Sequence, residues 1–210
     1  MALVVQKYGG TSVAGPERIK AVARSVIARK REGHRLLVVV SAMGDATDDL
    51  LALARKVSSS PDPREMDMLL ATGEQQAIAL VAMAVKSQGE RAISLTGPQV
   101  GIITDNRHMK ARIIGVKVDR IRKALARGQI VVVAGFQGES EGEEITTLGR
   151  GGSDLTAVAL AAALKADACE FYKDVPGIMT TDPRIVPEAR LLPVVTTTRC
   201  WRWRAWARRC

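Results

Sequence analysis

The sequence predicts an α/β fold, a three-layer αβα sandwich with a mostly parallel central sheet. Three observations predict it. Five apolar, β-rich runs recur along the 210 residues, and runs of helical periodicity flank four of the five. The apolar runs are also continuous rather than alternating, the mark of strands buried on both faces and covered by helices. The first strand is LVVQ at 3–6, followed by PERIKAVARSVIARK at 16–30, with Pro16 where a first-turn proline is tolerated. The second strand is LLVVVSA at 36–42, and DDLLALARKV starts a helix at Asp48. EMDMLLATGEQQAIALVAMAVKSQG at 65–89 is long enough for one helix or for two joined at Gly73. RAISLT at 91–96 is the third strand. VDRIRKALARG then ends in Gly128, as a helix C-terminus does. QIVVVAG at 129–135 is the fourth strand. A long acidic, glycine-rich loop over 135–154 leads to the helix SDLTAVALAAALKAD, where Ser153 and Asp154 suit capping positions. ACEFY at 168–172 is the last strand. No repeat or low-complexity linker interrupts this single α/β domain.

Composition supports a soluble globular chain, with 47% hydrophobic and 25% charged residues. The net charge of +9 hints at an anionic partner. Five arginines of the last fourteen residues (Arg199, Arg202, Arg204, Arg208 and Arg209) carry much of it, and without them the charge is +4. Cys169 is the only cysteine outside that tail, so no disulfide framework is indicated and a cytoplasmic location is expected. MALVVQKYGG lacks the basic region and long apolar run of a signal peptide, and no uninterrupted apolar stretch approaches the roughly 20 residues that span a bilayer.

In sheets of this kind ligands sit beyond the carboxyl ends of the strands, where loops enter helix N-termini. KYGGTSVAG follows the first strand. Its paired glycines let backbone N–H groups approach a phosphate, with Lys7 beside them and Thr11 and Ser12 adding hydroxyls. A tight strand-to-helix turn explains the same residues without a ligand. SAMGDATDDL follows the second strand, where Ser41 and Thr47 would face the same mouth, or simply cap a helix. GRGGSD offers Arg150 for bidentate grip of a carboxylate or phosphate, although a solvated arginine and a routine cap would look alike. FYKDVPGIMTTDPRIVPEARLL places Asp174, Asp182 and Arg184 in a proline-punctuated loop.

Together KYGGTS, VVVSAMG, ATGEQ, TTLGRGGSD and KDVPGIMTTDPR form an ordered set that closely resembles the aspartate kinases of the amino acid kinase superfamily, from Met1 to about Thr196. The resemblance implies the amino acid kinase fold and transfer of the γ-phosphoryl group of ATP, with Mg²⁺, to the β-carboxylate of L-aspartate. That step opens the route to lysine, threonine and methionine. It implies Lys7, Arg150 and Asp154 as catalytic residues. It implies Lys7, Tyr8, Gly9, Gly10, Ser41, Lys173, Asp174, Met179, Thr180, Thr181, Asp182, Pro183 and Arg184 at the nucleotide. Thr47, Glu74, Arg150, Gly151, Gly152, Ser153 and Asp154 would hold L-aspartate, with Glu74 facing its α-ammonium and Arg150 its α-carboxylate. No metal-ligating side chain is assigned. Lys173 departs from the threonine or serine found at that position in many members. The chemistry agrees with these roles, because the acceptor carboxylate is already ionised at neutral pH and needs no general base. The site must instead bring two anions together and stabilise spreading charge. Glu74 sits in an apolar helical run, where a charge needs a partner. A bound ammonium would supply one, and so would a structural salt bridge.

The last residues, TTTRCWRWRAWARRC, depart from the family. One back-translation of residues 197–210, shifted by a base, reads YDEMLEMASLGAQV, close to the family's next helix. The expectation is therefore an incomplete kinase domain at 1–196 and an out-of-frame tail at 197–210, with no ACT regulatory domains. Such a chain would be poorly stable, weakly active or inactive, and free of feedback inhibition. A homo-oligomer is expected of the full-length form, and neither nucleic acid nor a membrane as partner. The rival readings are a kinase of glutamate, N-acetylglutamate, carbamate or UMP, and a non-catalytic nucleotide-binding remnant. For the tail alone the rival is a tryptophan- and arginine-rich nucleic-acid arm.

Overall fold

All five expected strands form. β1 (Leu3–Tyr8), β2 (Arg35–Val40), β3 (Ala92–Leu95), β6 (Ile130–Ala134) and β9 (Ala168–Tyr172) make one sheet in the order β3-β6-β2-β1-β9, parallel throughout. The structure is a computed structural model that describes residues 1–174, 177–182 and 185–195. Successive side chains of a strand face opposite ways, so the unbroken apolar run of β2 feeds two cores at once. Leu36, Val38 and Val40 join Val4 and Val132 beneath α1 (Pro16–Arg31) and α3 (Pro63–Ser87). Leu37 and Val39 join Val5, Val131 and Val133 beneath α4 (Asp119–Ala126) and α5 (Gly152–Leu164). This is the αβα sandwich that the sequence predicts.

α3 is one helix of 25 residues, without a break at Gly73. Asp62 starts it by accepting the N–H groups of Arg64 and Glu65, with Pro63 in the first turn. Gly73 serves packing here, because a Cβ at this position would lie 3.0 Å from Ala42 Cβ in the loop after β2. By length and a mean hydropathy of 1.4 α3 could cross a membrane, but half of its apolar window is buried inside the domain. α2 (Ala46–Val57) lies against it through Leu50, Leu51 and Ala54.

The long loop expected over 135–154 is instead structured. β7 (Gln137–Ser140) and β8 (Ile145–Thr147) form a hairpin that joins β4 (Ile102–Thr104) and β5 (Ile113–Val116) in a second sheet, order β5-β4-β7-β8. Strands of three or four residues are too short to show a period, and QGES has the composition of a turn. Packing decides the matter: a Cβ at Gly138 would fall 2.7 Å from Thr104 Cγ2, so only glycine lets β7 lie beside β4. The cap of α5 is also corrected. It is Gly151, left-handed at φ 78, while Ser153 and Asp154 stand in the first turn.

The chain divides into two units, Met1–Tyr172 and Lys173–Cys210. Within the second, Met179 bridges Leu191 antiparallel, with Thr180 N–H donating to Arg190 O at 2.9 Å and Leu192 N–H to Ile178 O at 2.8 Å. Pro183, Arg184 and the tail at 197–210 lie outside the described residues.

Candidate active site

Strand alternation sets the first side chain of the site. Lys7 shares the α5 face of β1 with Leu3 and Val5, and its Nζ meets Asp154 Oδ1 in the first turn of α5 at 2.7 Å. Tyr8 faces the other way. Its ring stacks on Tyr172 with centroids 4.5 Å apart in the α1 core, so only its backbone is near the mouth. Ser41 N–H donates to Tyr8 O at 3.2 Å, and Gly44 N–H to Gly10 O at 3.1 Å. The loops after β1 and β2 are thus stitched together through their backbones. A Cβ at Gly10 would lie 2.8 Å from Ala42 O and 3.2 Å from Gly44 O. Gly10→Ala is therefore expected to cost about 1–3 kcal/mol, read as a lower thermal midpoint with loss of anion binding at the separated loops.

α3 contributes Glu74, only 3% exposed. Its Oε1 accepts the Ala42 N–H at 3.0 Å, while Oε2 is buried with no hydrogen-bond partner among the described residues. Burial pushes this carboxyl up to about 7, a rise that the Ala42 N–H only partly offsets. The last wall is the turn from β8 into α5. Gly149 and Gly151 take left-handed backbone (φ 74 and 78), and a Cβ on Gly152 would lie 2.8 Å from Phe136 Cδ2. These close approaches aim the N-terminus of α5 at the mouth, where the first N–H groups of a helix have no intrahelical acceptor and favour an anion.

The walls enclose a cleft of about 500 Å³, lined from the first unit. Of the residues expected from sequence, Lys7, Gly10, Ser41, Thr47 and Glu74 line it together with the run from Arg150 to Asp154. Gly9 lies just beside, and a Cβ there would be 3.8 Å from Lys7 Nζ. Lys173, Asp174, Met179, Thr180, Thr181 and Asp182 belong to the second unit. The sequence reading missed Asp48, Met109, Lys110 and Phe136, which also line the cleft. Asp48, in the first turn of α2, was legible in the same SAMGDATDDL stretch as Ser41 and Thr47. Phe136 comes just after β6 and was within reach of the same end-of-strand rule. Met109 and Lys110 arrive from a loop of the second sheet, which carried no signal.

Residues 2–199 match the amino acid kinase family. The chain belongs to that family. Among curated relatives, this amino acid kinase is 62% identical over 197 residues to the aspartokinase of Mycolicibacterium smegmatis, a match covering 93% of this chain and 47% of the relative. The chain thus spans about half the length of the curated relatives it matches. Among solved structures, the aspartate kinase from Synechocystis aligns with a TM-score of 0.80 and 55% identity, over 91% of this chain and 31% of that one. E. coli aspartokinase III in complex with aspartate and ADP aligns at 0.76 with 27% identity, over 90% and 53% respectively.

Proposed function

We propose that this amino acid kinase cleft transfers the γ-phosphoryl group of ATP to the β-carboxylate of L-aspartate, giving 4-phospho-L-aspartate and ADP in the pathway to lysine, threonine and methionine. The observation that carries the reading is the pairing, in one cleft, of a buried carboxylate oxygen without a partner among the described residues and a lysine at a helix N-terminus. The first suits the α-ammonium of an amino acid, and the second suits a phosphoryl group.

Arg150, which lines the same cleft as Thr47, takes the α-carboxylate in a bidentate grip. Glu74 and Arg150 then fix both ends of the amino acid, which leaves the β-carboxylate to point at the phosphate. That carboxylate oxygen attacks the γ-phosphorus, the bond to the β–γ bridging oxygen breaks, and ADP leaves with the electron pair. Lys7 and the N–H groups of Gly9, Gly10 and the start of α5 neutralise the charge that spreads over the phosphoryl oxygens. Asp154 holds Lys7 in place before the phosphate arrives. No group of three or more metal-ligating side chains occurs among the described residues. Mg²⁺ would therefore be carried chiefly by the phosphates, the usual mode for this ion, to neutralise their charge. Lys173, Asp174 and the run from Met179 to Arg184 are assigned to the nucleotide, and a cytoplasmic homo-oligomer to the full-length form.

The test is direct. The full chain is incubated with ATP, Mg²⁺ and L-aspartate, the acyl phosphate is trapped with hydroxylamine, and binding of L-aspartate and ADP is titrated separately. Even at the low rate expected of this chain, hydroxamate formation with L-aspartate should exceed that with glutamate at least tenfold. Equal ADP release with N-acetylglutamate, carbamate or UMP would overturn the assignment.

A further inference from the structure

Asp67 lies two helical turns before Glu74 on the same face of α3, and it is wholly buried. A carboxylate with no exposure needs donors, and three residues from two separate segments surround it. Met109 N–H donates to both oxygens at 3.0 and 3.1 Å, and Thr147 Oγ1 donates to Oδ1. His108 Nδ1 lies 2.8 Å from Oδ2. Met109 is itself in left-handed backbone at φ 64, a conformation that persists in a side-chain-bearing residue only where its surroundings impose it. The two captured segments are also joined to each other. Ala111 N–H donates to Thr147 O at 2.9 Å, and Met109 O would be 3.3 Å from a Cβ on Gly149.

Each captured residue leads straight into the wall of the cleft: Met109 into Lys110, and Thr147 into Gly149 and Arg150. We infer that Asp67 is a positioning residue for the acceptor. By tying α3 to the 108–111 loop and to β8, it sets where Arg150 and Lys110 stand relative to Glu74. α3 thereby fixes both acceptor walls from one face, Glu74 through the loop after β2 and Asp67 through the second sheet. The role assigned to Arg150 rests on the proposed aspartate reading, whereas the clamp itself does not.

The full chain is compared with Asp67→Asn, Thr147→Val and Thr147→Ser by amide hydrogen exchange and by titration with L-aspartate and with ADP. Asp67→Asn and Thr147→Val should accelerate exchange at least tenfold within 107–111 and 148–151 while β1, β2 and β6 stay protected. L-aspartate should bind about tenfold more weakly, with ADP affinity changed less than twofold. Thr147→Ser, which keeps the hydroxyl, should behave as the parent. Faster exchange across the whole chain, unchanged exchange in the two segments, or intact L-aspartate affinity despite local loosening would each overturn the positioning role. If the parent chain itself binds no L-aspartate, the substrate reading fails, while the exchange pattern still decides the clamp. Should Asp67→Asn not fold, the contrast between valine and serine at position 147 carries the test.

Discussion

Lys7→Ala is expected to lower phosphoryl transfer at least about a thousandfold, a barrier increase of about 4 kcal/mol, with the fold retained. Removing a single uncharged donor from a preorganised oxyanion site already costs about 100- to 1000-fold. Lys7 is a full charge held 2.7 Å from Asp154, with a side chain only 9% exposed. Its loss also removes the positive charge that stands beside Asp154 in the cleft. Stability should change little by comparison. Asp154 stands in the first turn of α5, where the helix dipole favours a negative charge, and it is one-third exposed. Lys7→Arg should not rescue the rate, since the Lys7 ammonium already lies 3.8 Å from where a Cβ on Gly9 would stand, and a guanidinium is bulkier. Hydroxamate formation, with near-ultraviolet circular dichroism as the fold control, reads both effects. A folded Lys7→Ala chain within tenfold of the parent rate would remove Lys7 from the mechanism.

The parts of this protein that were legible in the sequence are those whose physics is local. β2 and β6 announce themselves because every residue from Leu36 to Val40 and from Ile130 to Ala134 must be apolar when both faces are covered. The helical run from Glu65 is legible in its apolar pattern, although the true start, with Asp62 as cap and Pro63 in the first turn, lies just before it. The mouths of the loops are legible because parallel strands deliver their ends to one side of the sheet. What was illegible is non-local. β7 reads as loop because QGES gains its strand geometry only from β4 and β8. The cap at Gly151 was misplaced because glycine has no side chain with which to declare one. Asp67 looks like any polar residue on an amphipathic helix until His108, Met109 and Thr147 converge on it from 41 to 80 residues away. Lys7 and Glu74 share this dependence. Their residue types suggest a role, but only the sheet order and the packing of α3 bring them to one cleft.

Glu74→Gln should stabilise the unliganded chain and cripple acceptor binding at the same time. Burial holds the Glu74 carboxyl at about 7, against 4.5 in an exposed chain, and proton binding sets the sign. Between those values the folded chain retains a proton that the unfolded chain has lost. This group's contribution is therefore fully present below about pH 4.5 and falls away as pH rises to 7, for a total of about 3 kcal/mol at most. Glutamine cannot ionise, so Glu74→Gln should match the parent near pH 4.5 and exceed it by about 1–3 kcal/mol at pH 8. Denaturant unfolding at the two pH values reads the difference. Binding should move the other way. A charged amino group entering the cleft needs the ionised carboxylate, so the parent's affinity for L-aspartate should climb between pH 6 and 8 while ADP affinity stays flat. Glu74→Gln should lose about 100-fold at pH 8, within the 2–5 kcal/mol typical of breaking a buried ion pair. The two effects together identify a binding residue, because a purely structural ion pair would make the substitution destabilising at pH 8. Among the described residues Oε2 is buried without a partner, which argues against such a pair: the fold bears the cost of desolvating this oxygen, and under the proposed reading the ammonium of a bound amino acid would offset it.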